Sequence, residues 1–361
     1  MHYLMRLAIV GLNPGTAIYA QYLARDGHEV TIYTETQGDV KIMDLAPHAL
    51  MGIVNEETTK LFTRKYLEDL LGIRIVSAGL QSVVIDKNDV VLNDQGSRYH
   101  YDRVIVGSEA VPREFGNCGS VYRIRLRQGN YVINGNDIGK NTESLLFITD
   151  MGGYANPGLL MALDDDLLKS LPISRTQGIE TCITTDYEVI KPVASSINGG
   201  DWLIGRGFTT RDPLSGIEYS INRDHQLIMM GKLLALRDLG IINSLPLIPR
   251  LETGFSINWS YLTIGLTRRE LSAVFRDLSS SRITYRTDDM IIIAKTLHRG
   301  SKLLGIQILA KGIKLLNWYS SIYTLVMLGE STYLILDMGY EKTFNIIRGI
   351  LEQLLLNLHN I

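Results

Sequence analysis

Gly11-Leu12-Asn13-Pro14-Gly15-Thr16 follows the apolar run Leu7-Ala8-Ile9-Val10 and is the first stretch whose residue types could do chemistry. A turn that opens a helix aims unpaired N–H groups and the positive end of the helix dipole at an anion, so it suits phosphate. The dinucleotide-binding pattern uses three glycines to bring the backbone close to a pyrophosphate. Here Gly11 holds the first of those places, Asn13 the second and Thr16 the third, with Gly15 one place early. Asparagine tolerates left-handed backbone geometry and Pro14 suits a first helical turn, so the turn can form. Glu35, at the end of a second β-rich run, is placed to bond a ribose hydroxyl. The same residues also read as a plain strand–helix turn followed by a solvated glutamate, and the glycines alone leave both readings open.

The rest of the chain must supply the elements that hold these residues. It has 361 residues, 45% hydrophobic and 20% charged, with 36 Lys+Arg against 38 Asp+Glu and a net charge of −2. That balance excludes intrinsic disorder, gives no nucleic-acid footprint and sets an expectation of two or three domains. Two cysteines, Cys118 and Cys182, cannot build a disulfide framework or a four-ligand zinc site. Met1 to Arg6 runs straight into an apolar strand without a visible signal peptide. The charge-free stretch Leu315 to Gly329 is too short to span a bilayer. A soluble, cytoplasmic protein is the expectation.

Leu7–Val10, a helix over Ala17 to Arg25 stopped at Gly27, and the strand Val30–Thr34 make one βαβ opening. Asp44 to Leu71 reads as mostly helical and Ile73–Val76 as a strand. Val83-Val84-Ile85 and Val90-Val91-Leu92 flank Asp86-Lys87-Asn88-Asp89 as a hairpin. Tyr101 to Val106 is another buried strand, ending at Gly107-Ser108. A smaller βαβ unit follows over Glu143 to Thr185, then a long helix over Asn222 to Leu239 stopped at Gly240. Arg282 to Thr296 and Lys302 to Ala310 alternate like paired strands around His298-Arg299-Gly300-Ser301. Two apolar helices, Lys311 to Leu328 and Thr343 to Leu358, close the chain.

Several of these segments share one resemblance. Tyr101-Asp102-Arg103-Val104-Ile105-Val106-Gly107-Ser108-Glu109-Ala110-Val111-Pro112-Arg113 resembles the YDxLIxATGSxPR strand and turn of flavoproteins that bind two dinucleotides. Ser196-Ile197-Asn198-Gly199-Gly200-Asp201 resembles their second flavin motif, an apolar strand ending in Gly-Asp. Ser260 to Thr267 and Leu303-Leu304-Gly305-Ile306-Gln307-Ile308 resemble strands of their C-terminal interface domain. In this order, the motifs resemble the pyridine nucleotide–disulfide oxidoreductases, nearest the NADH oxidase and coenzyme A disulfide reductase branch.

The resemblance implies an α/β fold: an FAD/NAD(P)-binding Rossmann-like domain over 1–115 and 196–252, a shortened second nucleotide-binding-like insertion over 116–195, and a C-terminal α+β interface domain over 253–361. It implies FAD held by Gly11, Asn13, Gly15, Thr16, Glu35, Gly107, Ser108, Pro112, Arg113, Gly200 and Asp201, with Asp201 on the ribityl chain. NAD(P)H would sit at Gly152, Gly153 and Tyr154, a turn that reads equally as a plain helix entry. It also implies a small-molecule electron donor and acceptor. Three departures bear on chemistry. His48, in Ala46-Pro47-His48-Ala49-Leu50, stands where that branch carries its redox cysteine, so a thiolate relay has no residue to carry it. The Gly-Gly-Tyr turn lacks its third glycine in place. The C-terminal dimer motif reads Tyr340-Glu341-Lys342-Thr343-Phe344, without its proline.

His48 reads as a general acid or base near a flavin, or as a half-buried polar residue. Asp164-Asp165-Asp166 is read as a solvated acidic face rather than a metal site, since consecutive helical residues diverge. Trp202 and Cys182 are read as core. Three functions remain in view: a flavin-dependent oxidoreductase working without a protein thiol, a non-catalytic flavoprotein or electron-transfer subunit, and a cofactor-free scaffold. The two C-terminal helices carry more apolar residues than one buried stripe requires, and a homodimer through that domain is expected.

Overall fold

The computed structural model describes residues 4–46, 49, 54–93, 96–112, 119–120, 163–168, 183–184, 187–196, 203–255, 259–313, 315, 349–350 and 353. The chain divides into two compact units. The first comprises Met1–Arg125, Asp186–Thr210 and Glu218–Ile248, and the second Leu126–Thr185, Arg211–Ile217 and Pro249–Ile361.

The first unit begins with β1 (Arg6–Val10), α1 (Pro14–Arg25) and β2 (Glu29–Thr34). Then come β3 (Arg74–Ser77), β4 (Val83–Asp86), β5 (Asp89–Leu92), β6 (Ser97–His100) and β7 (Arg103–Gly107). It is completed by β8 (Glu109–Pro112), β9 (Tyr187–Ile190), β10 (Val193–Ser196), β11 (Leu203–Ile204) and α2 (Asp224–Asp238). Five strands form a parallel sheet in the order β11-β7-β1-β2-β3. A second sheet runs β10-β4-β5-β6, and β8 with β9 makes an antiparallel ribbon.

β1 is apolar at every position from Leu7 to Val10 because it has no solvent face. Leu7 and Ile9 join α1 and α2 through Ala17, Ala20, Leu23 and Leu234. Ala8 and Val10 turn the other way, onto Val83, Ile85, Val90 and Leu92 of the second sheet. A strand covered on both sides reads as a continuous hydrophobic run. The two helices meet backbone to backbone. A Cβ on Gly231 would lie 1.9 Å from the Gly15 carbonyl oxygen, and one on Gly15 would lie 2.3 Å from that of Leu227.

The second unit is built on β12 (Leu251–Phe255), β13 (Trp259–Gly265), α3 (Arg268–Ser272), β14 (Ser279–Arg286), β15 (Ile291–Arg299) and β16 (Lys302–Lys311). Its antiparallel sheet runs β12-β13-β16-β15-β14. One face carries the apolar cluster of Leu262, Ile264, Ile292, Ala294, Ile306 and Ile308. On the other, Glu252, Thr263, Gln307 and Lys295 stand side by side in register, all buried. Lys295 Nζ lies 2.8 Å from Asp164 and 2.6 Å from Asp166. The Asp164 N–H donates to Gln307 Oε1, and its carboxylate accepts the Arg268 N–H. The acidic triplet is therefore not a solvated face: Asp165 is exposed, but Asp164 is buried as the counter-ion of Lys295. Among the described residues no cluster of His, Cys, Asp or Glu is arranged to hold a metal ion.

Three element readings change. Asp44 to Leu71 is not mostly helical in its described part: it contains a 3-10 turn at Glu56–Thr59, a strand Lys60–Phe62 and a π turn at Tyr66–Leu70. Val40 pairs with Phe62 across this stretch, and Asn55 Oδ1 accepts the Glu57 N–H, so strand pairing and a local cap replace helix. Arg282 to Thr296 is two strands, because the chain turns back at 287–290 with the Thr287 N–H on the Met290 carbonyl. Lys311 ends β16, opposite Trp259 and Ile291, and Gly312 turns away at φ +78°. The helices expected beyond it and over Thr343 to Leu358 fall largely outside the described residues, as does most of the expected βαβ unit over Glu143 to Thr185. No described helix is long and apolar enough to cross a membrane.

The glycine contact between α1 and α2 is directly testable. Gly231→Ala is expected to cost about 1–3 kcal/mol through overpacking, seen as a lower denaturation midpoint. Gly38→Ala, where a Cβ meets nothing within 4 Å, is the control and should change little.

Candidate functional site

In the parallel sheet, β2 and β3 lie on one side of β1, and β7 and β11 lie on the other. Ligands of open α/β sheets bind beyond the carboxyl ends of the strands, where the order reverses. That crevice is bordered by Gly11 after β1, Glu35 after β2, Gly107-Ser108-Glu109 after β7 and Gly205-Arg206 after β11. Gly11 has φ +101°, and a Cβ on Gly107 would come 2.3 Å from the Gly11 carbonyl oxygen. Only glycines allow β1 and β7 to approach this closely as they leave the sheet.

The substitutions in the turn have a structural purpose. Asn13 is the N-cap of α1, and its Oδ1 accepts the N–H groups of Gly15 at 2.9 Å and Thr16 at 3.0 Å. Its Nδ2 donates to the carbonyls of Ser108 at 2.9 Å and Ile204 at 2.8 Å, so one side chain ties β1, β7 and β11 together. Thr16 Oγ1 accepts the Asn13 N–H and donates to the Gly11 carbonyl. Ser108 Oγ donates to the carbonyl of Arg206. Gly15 makes the contact with α2.

Glu109 was not expected here. The residue is 3% exposed, and its carboxylate accepts the Leu12 N–H at 2.8 Å and the hydroxyls of Thr34 on Oε1 and Thr36 on Oε2. Burial pushes its pKa above the ordinary glutamate range despite those three hydrogen bonds, and the charge of Glu35 adds to the rise. The signal was present in the sequence: Glu109 falls on a glycine of the YDxLIxATGSxPR pattern. Glu35 is exposed at the end of β2, with one carboxylate oxygen accepting the Leu80 N–H at 2.7 Å.

A buried charge cluster lies at the start of α2. Arg206 Nη2 lies 2.5 Å from Asp224 and 3.5 Å from Asp44, and Arg223 is 3.7 Å from Asp44. Each aspartate accepts the other's backbone N–H, at 2.7 and 3.0 Å. Burial raises the Asp44 pKa, but Arg206, Arg223, His225 and the Asp224 N–H outweigh it and leave the group below the ordinary range. Asp224 is pushed up to about 6, by burial first and by the Asp44 charge, against the pull of Arg206.

Of the other expected site residues, Pro112 stands opposite Tyr187 in the β8–β9 ribbon. His48, Arg113, Gly152, Gly153, Tyr154, Gly200 and Asp201 lie outside the described residues. The strand that joins the sheet beside β7 is Leu203–Ile204, and the Gly-x pair at its end is Gly205-Arg206.

A parallel Rossmann-like core followed by an antiparallel-sheet unit is the mixed α/β fold of FAD/NAD(P)-binding oxidoreductases. No family model matches the chain, and no curated relative does. Solved structures do match. An NAD-dependent persulfide reductase from A. fulgidus is 12% identical, with a TM-score of 0.62 over 90% of this chain and 77% of that one. A water-forming NADH oxidase from Lactobacillus brevis bound to NADH is 11% identical, with a TM-score of 0.58 over 89% and 90%. A pyridine nucleotide-disulfide family oxidoreductase from Enterococcus faecalis V583 is 11% identical, with a TM-score of 0.58 over 94% of both chains. At these identities the likeness shows a shared fold.

FAD is the dinucleotide expected from the sequence resemblance, and its two ends would meet different surroundings here. The ribose end fits: Glu35 is exposed at a strand end, and the close glycines keep the turn tight. At the phosphate end, every N–H from Gly11 to Ala17 already has an acceptor in the protein, and Pro14 has none to give. A pyrophosphate enters there only by displacing one of those acceptors.

The Asp224 pKa has a consequence for stability. Its folded value of about 6 exceeds the ordinary 3.8, so the native state holds this proton more tightly than the unfolded chain does. This group's contribution to stability therefore falls as pH rises from about 4 to about 6. Asp224→Asn, with no proton to lose, is expected to flatten that slope by on the order of 2–3 kcal/mol, read from denaturation midpoints at pH 4, 5 and 6.

Proposed function

We propose that this chain is a flavin-dependent oxidoreductase. FAD sits in the crevice of the first unit, with Glu35 on the adenosine ribose, and Gly200-Asp201 is assigned to the ribityl chain. The observation that carries the reading is the crevice itself: a left-handed glycine turn, a strand-end acid and a reversal of strand order at the carboxyl edge of a parallel sheet. Bound flavin supplies two-electron and one-electron redox chemistry. Electrons come from a nicotinamide, assigned to the Gly152-Gly153-Tyr154 turn, or from another small donor. They pass to oxygen or a small acceptor without a protein thiol, since the sequence has His48 in place of the redox cysteine. A second reading is a non-catalytic flavoprotein or electron-transfer subunit, and a third, a cofactor-free scaffold of this fold, is supported by the complete internal pairing of the turn's N–H groups.

Titration with FAD separates them. The oxidoreductase reading expects flavin absorbance that survives desalting, and stabilisation of about 2.7 kcal/mol when free FAD is 100-fold above Kd. Bleaching of that absorbance by NADH or NADPH under anaerobic conditions is expected in addition. Flavin retained without bleaching by any donor favours the non-catalytic reading, and absence of both absorbance and stabilisation rules out FAD. We also propose a homodimer through the C-terminal domain, from the two apolar stretches 311–328 and 343–358. Light scattering should give twice the chain mass of 40.4 kDa, and a stable monomer at micromolar concentration would refute the dimer.

A further inference from the structure

We infer that Glu109 is the specificity-determining residue of the crevice: its carboxylate occupies the donors at the phosphate end, so a ligand's pyrophosphate binds only by displacing it. The inference deepens the FAD reading above and rests on it. Three neutral donors hold Glu109, the Leu12 N–H and the hydroxyls of Thr34 and Thr36. The turn after β1 and the end of β2 thus converge on one anion. Leu12 N is the donor that precedes the N-cap of α1, and the N–H groups of Gly15 and Thr16 are already satisfied by Asn13. A phosphate oxygen reaching this end of the crevice therefore seeks the partners Glu109 already has.

The two anions cannot share them. Charges a few ångströms apart repel far more strongly in a buried, low-dielectric setting than in water. Glu35, the charged group that acts on Glu109, is also negative and adds to the field against phosphate. The ribose side of the crevice is unaffected, because Glu35 faces solvent there. Glu109 thus weakens the hold of the crevice on a phosphate-bearing ligand without removing the ribose contact that such a ligand shares with a nucleoside. Removing the Glu109 carboxylate leaves three convergent donors, which is itself an anion site.

The test uses the full-length protein, with FAD as the phosphate-bearing probe and adenosine as the phosphate-free one. Binding is measured by calorimetry for wild type, Glu109→Ala and Glu109→Gln. Glu109→Ala is expected to bind FAD about tenfold or more tighter, equivalent to about 1.4 kcal/mol. Glu109→Gln keeps an acceptor for the Leu12 N–H but loses the charge, and should fall between. Adenosine affinity should be the same in all three. Should Glu109→Ala fail to fold by circular dichroism, Glu109→Gln decides alone, with tighter FAD and unchanged adenosine expected. FAD bound equally by wild type and both variants overturns the role of Glu109 and leaves the flavin reading standing. Equal tightening of FAD and adenosine overturns it as well, since the effect would then not concern phosphate. FAD bound by none of the three overturns both.

Discussion

Helix α1 begins so soon after β1 that its first N–H groups are enclosed by the ends of β7 and β11. Buried backbone donors must be paired, by protein or by ligand. Asn13 meets this requirement. Its oxygen caps the helix, while its amide holds the carbonyls of Ser108 and Ile204, residues far apart in sequence. The close approach of Gly11 to Gly107, the seat of Gly15 against α2 and the position of Glu109 over Leu12 all depend on that turn being closed in this way. A ligand in the crevice must work against a turn that is already complete.

The same requirement shapes the start of α2. Asp224 and Asp44 exchange backbone N–H bonds, and Arg206 bridges their carboxylates. Desolvating three charges is expensive, and the geometry offsets it by pairing each charge and hydrogen-bonding the remaining oxygens. The two aspartates then titrate apart. The one surrounded by arginines is held below the ordinary range, and Asp224, buried and repelled by it, takes up a proton more readily. Groups of perturbed pKa beside a crevice are candidates for proton handling. The cluster follows the end of β11 directly.

In the second unit the buried polar row Glu252-Thr263-Gln307-Lys295 is a different solution to the same constraint. Lys295 is held by two carboxylates, and Gln307 by the backbone of Asp164. An antiparallel sheet usually keeps polar residues for solvent. Here they specify which segment covers the sheet, because an apolar segment would leave Lys295 uncompensated.

Sequence patterns alone established the β1–α1–β2 opening and the strands β3, β4, β5 and β7, because a strand covered on both sides must be apolar throughout and α1 needs its stripe and cap. They also gave the hairpin at Lys87 and the turn at Gly300, where local backbone preference decides the conformation. Residues such as Gly11, Glu35 and Gly107 could be placed at strand ends from spacing. The roles of Asn13 and Gly15 could not, since they depend on β11 and α2, some two hundred residues on. Glu109 was legible only as a glycine replaced by glutamate. Its burial and its three donors exist only once β1, β2 and β7 lie side by side. The acidic triplet read as solvated because helical spacing says nothing about a lysine on a distant strand. Local structure follows from neighbours along the chain, but pairing of buried charge and closure of the crevice are set by tertiary contacts, because desolvation depends on what surrounds a group in space.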